Sequence, residues 1–120
     1  MCEITCRGFE ADAFQIDHPH WDPLLAAVGE RLTSGFMWMQ EETLEDGRDV
    51  QAYKHRHTRR YLYLTDGPRA FERAACGRFV PLRLDFAIQR ALCTWWLLRG
   101  WEPEDVEAIK AAVTRGARIE

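Results

Sequence analysis

A dipeptide near the middle of the chain constrains the fold more than any other feature. Asp46-Gly47 separates two segments, 36–44 and 49–57, that are predicted as strands. Asp-Gly in this setting is the strongest short-range signal for a β-hairpin, because glycine adopts the positive φ that tight turns require. An antiparallel pair of strands is therefore predicted at the centre of the protein.

Three more segments, 60–65, 69–74 and 78–82, have the composition and the flanking turn signals of strands. Asp66-Gly67-Pro68 follows the first segment, and Cys76-Gly77 separates the other two. The link that precedes the first segment holds neither Gly nor Pro, so it is either a tight polar turn or a bulge in one continuous strand.

Helical signals flank these strands. Asp22-Pro23 is predicted to open a first helix, Asp85 to cap a second, and Glu102-Pro103 to open a third that ends at Gly116. The predicted fold class is α+β. It has an antiparallel sheet of three to five strands (36–82), with helices 23–34, 86–99 and 103–115 packed mainly on one face.

Size and composition indicate one domain, 1–120, since 120 residues with 47% apolar side chains can bury a substantial core. The longest nearly apolar stretch, 91–98, is too short to span a membrane. The start, 1–3, lacks the features of a secretory signal, and the four cysteines are scattered. A cytoplasmic protein with no membrane partner is expected.

Charge is divided unevenly along the chain. Residues 1–47 contain two Arg against ten Asp and Glu, a net charge of −8. Residues 48–99 contain eleven Lys and Arg against four acids, a net charge of +7. Such a division predicts either a charged partner or two halves that neutralise each other on folding.

The densest chemistry is the run Lys-His-Arg-His-Thr-Arg-Arg at 54–60, the basic ribbon. One interpretation is a phosphate or nucleic-acid site, because Arg forks match phosphate oxygens and tyrosine rings stack on bases. Tyr53 is a further candidate for stacking. The main candidates for this site are Lys54, Arg56, Arg59, Arg60, Tyr61 and Tyr63.

The other interpretation of the ribbon is internal neutralisation. A two-residue loop at Asp46-Gly47 places Met39 opposite Lys54, so that acidic side chains of the preceding strand become its diagonal neighbours. The candidate acidic residues are Glu41, Glu42, Asp46 and Asp49.

Catalytic signatures are weak. His55 and His57 have the residue types of a small metal-independent ribonuclease, but their spacing does not require that activity. The sequence contains no nucleophile elbow, phosphate-binding loop, zinc-protease motif or dinucleotide glycine pattern. The protein is therefore expected to act without catalysis and without a cofactor.

Four residues have part of a zinc-finger spacing: Cys2, Cys6, His18 and His20. The gap between the two histidines does not fit a helix, and Cys2 lies at a terminus, where chains fray. We therefore expect no bound metal.

In size, acidity and lack of a catalytic signature, the chain loosely resembles small single-domain proteins of phages and mobile elements. That resemblance implies an inhibitor that occupies the surface of a larger machine, including inhibitors of the anti-CRISPR type. A protein partner is therefore the leading hypothesis, with the acidic segments 41–49 and 102–107 imitating phosphates. The alternative is a protein that binds nucleic acid or processes RNA through the basic ribbon.

Overall fold

The computed structural model describes residues 19–92 and 102–119. Its strands form one antiparallel sheet in which each strand lies beside the next one along the chain. The strands are β1 Phe36–Thr43, β2 Asp49–His55, β3 Tyr61–Thr65, β4 Arg69–Arg73 and β5 Phe79–Leu82. The helices are α1 Asp22–Thr33, which follows a short 3-10 turn at Pro19–Trp21, α2 Leu84–Leu92 and α3 Pro103–Ile119. The predicted α+β fold is confirmed.

Both outer hairpins close with the same loop. In the β1–β2 hairpin the Leu44 N–H donates to the Arg48 carbonyl at 2.7 Å, and Gly47 has a φ of 92°. In the β4–β5 hairpin Ala74 makes the equivalent bond, and Gly77 also has a φ of 92°. A three-residue loop with glycine in the left-handed region explains both signals, so the hairpin predictions at these two glycines are confirmed.

The antiparallel pairing of β1 with β2 is confirmed, but its predicted register is wrong. Lys54 lies opposite Met37 instead of Met39, because the loop is one residue longer than expected and the register shifts again between Trp38 and Gln40. The second shift is a β-bulge, which twists and bends the strand that carries it.

The helices pack on one face of the sheet. Side chains from alternate positions of β2, β3 and β4 meet apolar residues of all three helices in a single cluster. Its fully buried members include Leu24, Phe36, Tyr53, Leu62, Leu64, Ile88, Leu92 and Ala112. The period of two along each strand accounts for this face, because every second side chain points to the helices.

Two predictions about helix ends are wrong. The third helix continues through Gly116 to Ile119, because Gly116 allows α3 to approach α2 closely. A Cβ at Gly116 would lie 3.0 Å from the backbone nitrogen of Asp85. Asp85 is itself in the first turn of α2, which begins at Leu84, rather than at the cap.

The first helix begins one residue earlier than predicted, and Trp21 occupies its N-cap position without a side-chain capping bond. Gly29 interrupts the helix with a φ of 85°. The part of the predicted second helix beyond Leu92 lies outside the described residues.

Candidate functional site: the concave face of the sheet

A second buried cluster lies on the sheet face that points away from the helices. Val50, Ala52 and Phe71 are buried, with relative exposures of 1%, 2% and 6%, although none of them belongs to the helix-side core. Ala52 pairs with Tyr63, and Tyr63 with Phe71, so these side chains occupy one row across three strands. This face therefore has an apolar floor of its own.

The sheet curls around this floor. The Glu42 carboxylate of β1 forms an ion pair with the Arg73 guanidinium of β4. In a flat sheet these strands would lie about 14 Å apart, since neighbouring strands are separated by about 4.8 Å. Arg48, from the loop after β1, lies 5.4 Å above the ring of Phe71. The bulge in β1 provides the bend, and we call the resulting surface the concave face.

Aromatic rings line one side of the concave face. The rings of Tyr61 and Tyr63 are stacked, with centroids 5.6 Å apart and planes at 12°, and Tyr63 meets Phe79 edge-on at 5.2 Å. Cations cover several of these rings. The Arg73 guanidinium lies 4.4 Å from the Phe79 centroid, and the Lys54 ammonium lies 5.7 Å from that of Tyr61. Tyr61 is nevertheless 42% exposed.

The ion pair between Glu42 and Arg73 divides the concave face into two hollows. One hollow, of about 400 Å³, lies between the β1–β2 loop and β5. The other, of about 570 Å³, contains Met39 and Gln40 together with the two stacked tyrosines. The charged residues that line the two hollows are of both signs: Glu42, Glu45, Asp46, Arg48, Arg73 and Arg78.

The basic ribbon forms a tight turn, the first of its two predicted alternatives. The His55 N–H donates to the Arg60 carbonyl at 2.9 Å, and the Arg59 N–H donates back to the His55 carbonyl at 3.0 Å. Arg59 has a φ of 63°. The turn is attached to α2, because the Thr58 hydroxyl donates to the Ala91 carbonyl at 2.8 Å.

The predicted basic and aromatic residues are distributed around this turn. Lys54, Tyr61 and Tyr63 lie on the concave face, as their pairing requires. The backbone of Arg56 bonds to the Gly35 carbonyl before β1, whereas the guanidinium of Arg60 bonds to the Arg90 carbonyl on α2.

The prediction that Tyr53 is available to stack on a base is wrong. It is completely buried on the helix side, where its hydroxyl donates to the His20 carbonyl at 2.5 Å. Burial also raises the pKa of this hydroxyl above its usual value.

The geometry of His55 is that of a structural residue. Its side chain is buried, and its Nδ1 accepts the backbone N–H groups of His57 and Thr58, both at 3.2 Å. Burial lowers the pKa of His55 to about 4, so the imidazole is neutral near pH 7. Its acceptor nitrogen is occupied by the turn and does not face a substrate site, which disfavours a role as a general base.

The acidic candidates mostly have partners within the protein. Glu42 pairs with Arg73, and Asp46 pairs with Arg48 at 2.8 Å. The hydrogen bonds from Arg48 lower the pKa of the Asp46 carboxyl. Glu41 accepts a hydrogen bond from the side chain of Gln51 at 2.6 Å.

Two further acidic side chains, Asp49 and Asp105, also have partners within the protein. The Asp49 carboxylate accepts from Thr43 at 3.0 Å. In the second acidic segment Asp105 pairs with Arg31 at 2.6 Å. Arg31 lies at the end of α1 that leads into β1, whereas 41–49 surrounds the opposite end of that strand. The two segments therefore do not form one continuous patch.

Of the metal candidates, Cys2, Cys6 and His18 lie outside the described residues. The ring of His20 stacks on Trp38 with a centroid distance of 4.3 Å. Within residues 19–92 and 102–119, no group of three or more His, Cys, Asp or Glu side chains is placed to hold a metal ion.

Sequence reasoning missed Arg73, Phe79 and Arg90 as members of a surface with the stacked tyrosines. The alternation within 69–74 and 78–82 assigns side chains to one face or the other, but the curl that brings β4 to β1 is a long-range property. Comparison with protein-family models, curated proteins and solved structures found no match. None of the helices among the described residues has the length and apolar character needed to cross a membrane.

Proposed function

We propose that this protein is a non-enzymatic binding module that holds a protein partner against its concave face. The single observation that carries the proposal is the aromatic side of that face, where the exposed ring of Tyr61 stacks on the half-buried ring of Tyr63 next to Phe79. A monomer gains little from leaving such rings in water, whereas aromatic side chains and Arg are enriched at the centres of protein interfaces. Binding there would occlude a surface of the partner.

The signs of the surrounding charges favour a protein over a polyanion. Three acids and three Arg line the two hollows, so the surface lacks the uniformly positive field that phosphates require. A rim of both signs instead allows charge complementarity with a protein, which sets orientation and excludes wrong partners. A cytoplasmic setting is part of the proposal, because Cys76 is an exposed free thiol.

A matched pair of variants tests the proposal. Tyr61 and Phe86 are similarly exposed, at 42% and 46%, and each ring lies under a cation, Lys54 or Arg83. Only Tyr61 is on the concave face. After a partner has been captured from the cells that make this protein and then purified, Tyr61→Ala should weaken binding by about tenfold or more, as hot-spot aromatics do. Phe86→Ala should change it little. Equal losses would remove the concave face as the interface.

Single-stranded nucleic acid is the second candidate ligand. The parallel rings of Tyr61 and Tyr63 next to Lys54 favour it, because bases stack on aromatic rings beside cations. Mobility shifts at low salt with single-stranded and duplex DNA and RNA test this candidate. If Arg59 and Arg60 contact phosphates, their replacement by Ala should reduce the salt slope by close to one ion for each residue. No shift with any of these ligands at low salt would eliminate it.

A further inference from the structure

A cleft that shares Tyr61, Tyr63, Phe71 and Arg73 with the concave face opens where two strands of the sheet part. β3 pairs with β4 only from Tyr63 opposite Phe71 to Thr65 opposite Arg69. At Tyr61, β3 is still paired with β2, where Tyr61 lies opposite Lys54, but it is no longer paired with β4. The cleft between the diverging strand ends has a volume of about 410 Å³, within the range of pockets that hold small molecules.

Three arginines from different elements line this cleft. Arg60 comes from the turn just before β3, Arg73 from the end of β4, and Arg90 from α2. The single carboxylate in the lining is that of Glu72, and Arg73 is also paired with Glu42 next to the cleft, so the local net charge is +1. Guanidinium forks present several N–H donors in a plane, the geometry that phosphate oxygens accept. A phosphate monoester, with a charge of about −2 at pH 7, is attracted to this lining.

Contacts within the protein hold two of these arginines in place. Nη1 of Arg60 donates to the Arg90 carbonyl at 2.9 Å, and Nη1 of Arg90 donates to Glu72 at 2.6 Å. Each contact uses one of the five N–H donors of a guanidinium. Both side chains are therefore positioned before a ligand arrives, which lowers the entropic cost of binding.

The rest of the lining favours a flat, partly apolar group next to the phosphate. The rings of Tyr61 and Tyr63 form one wall, and the partly buried side chain of Leu82 contributes apolar surface. A nucleobase stacks on a tyrosine ring in such a position. We infer that the β3–β4 cleft binds a mononucleotide, with its phosphate between Arg60 and Arg90 and its base against Tyr61. This site overlaps the proposed protein interface at Tyr61 and Tyr63, but its two phosphate-binding arginines, Arg60 and Arg90, do not depend on that interface.

Calorimetric titration of the full chain at low salt tests the inference with three probes: AMP, adenosine and inorganic phosphate. AMP should bind at least tenfold more tightly than either part alone, because only AMP uses both the arginines and the ring. Tyr61→Leu should weaken AMP but leave inorganic phosphate unchanged. Similar affinities for AMP and adenosine, or no detectable binding of AMP, would overturn the inference.

Arginine variants separate this site from the concave face. Arg60→Gln and Arg90→Gln should each weaken AMP binding by about tenfold, as expected for a lost charged hydrogen bond. The matched control is Arg118→Gln, an exposed position in the last turn of α3, which should bind AMP like the wild type. Thermal unfolding of each variant verifies its fold. The inference would be contradicted if Arg118→Gln weakened AMP binding as much as the other two variants do. It would also be contradicted if the wild type bound octameric RNA but not AMP. Arg60→Gln should leave binding of a protein partner unchanged.

Discussion

The two faces of one sheet differ in what covers them, and four consecutive residues of β3 illustrate the difference. Leu62 and Leu64 point to the helices and have relative exposures of 1% and 0%. Their neighbours Tyr61 and Tyr63 point to the concave face, where Tyr61 is 42% exposed. Alternation along a strand thus gives one face to stability and leaves the other available for binding.

The two faces also treat polar groups differently. On the helix side, buried polar groups find fixed partners: the Tyr53 hydroxyl bonds to the His20 carbonyl, and the Trp38 indole donates to Gln51 at 2.8 Å. Leaving such groups without partners in an apolar core would cost a large free energy. On the concave face, charged groups lie over rings and remain in contact with water. Exposed cation–π contacts contribute only about 0.5–1 kcal/mol each, so a ligand can displace them at little cost.

The largest effect should come from truncating the covered face. Leu64→Ala should lower the free energy of unfolding by about 2–5 kcal/mol, because it leaves a cavity in a closed core. Tyr61→Ala, three positions earlier on the other face, should cost about 1–2 kcal/mol, because it removes a ring stack and a cation–π contact at a half-exposed position. Urea unfolding of both variants measures the two values. Similar losses would mean that both faces contribute equally to stability.

The next largest effect concerns pH and the helix side. His55 has an ordinary pKa of 6.5 when unfolded and about 4 when folded, so below pH 6.5 the unfolded chain takes up a proton that the folded protein excludes. The free energy of unfolding should therefore fall as the pH drops from 6.5 to 4, by roughly 3 kcal/mol at most, given 1.36 kcal/mol per pKa unit.

The control for this effect is His55→Asn, which retains an acceptor for the backbone N–H groups of His57 and Thr58 but does not titrate in this range. The wild type should lose more stability than this variant between pH 6.5 and 4. Parallel pH profiles would show that His55 is not held neutral by burial.

The smallest effect should come from the ion pair that spans the concave face. Glu42→Gln removes the partner of Arg73, and both side chains are about one third exposed, so the loss should be about 0.2–1 kcal/mol. Added salt should reduce the difference in unfolding free energy between Glu42→Gln and the wild type. Thermal unfolding at low and high ionic strength would measure this difference. A loss of several kcal/mol would make the curl of the sheet a major source of stability.

Local signals were sufficient for much of the fold. Asp46-Gly47 and Cys76-Gly77 identified two hairpins, because a glycine with positive φ is a requirement of the turn itself. At Gly116 the local signal gave a wrong helix end. Glycine often ends helices, but here the missing Cβ allows α3 to contact α2.

The candidate site depended more on long-range geometry. Lys54, Tyr61 and Tyr63 were proposed from their residue types in and near the basic ribbon, as parts of a nucleic-acid site, and not as members of a curved sheet face. The bulge near Met39 and the contact of Arg73 with Glu42 join residues far apart in sequence. Their assembly follows from the curvature of the whole sheet, which no short segment specifies.

The central claim is that the concave face is where a protein partner binds, and site-specific photo-cross-linking tests it most directly. A benzophenone amino acid would replace Phe79 on the concave face or Phe86 on α2, and each protein would be irradiated in the cells that make it. A specific protein adduct is expected from position 79 and should disappear when Tyr61→Ala is added, whereas position 86 should give little adduct. An adduct from position 86 alone, or none from position 79, would contradict it.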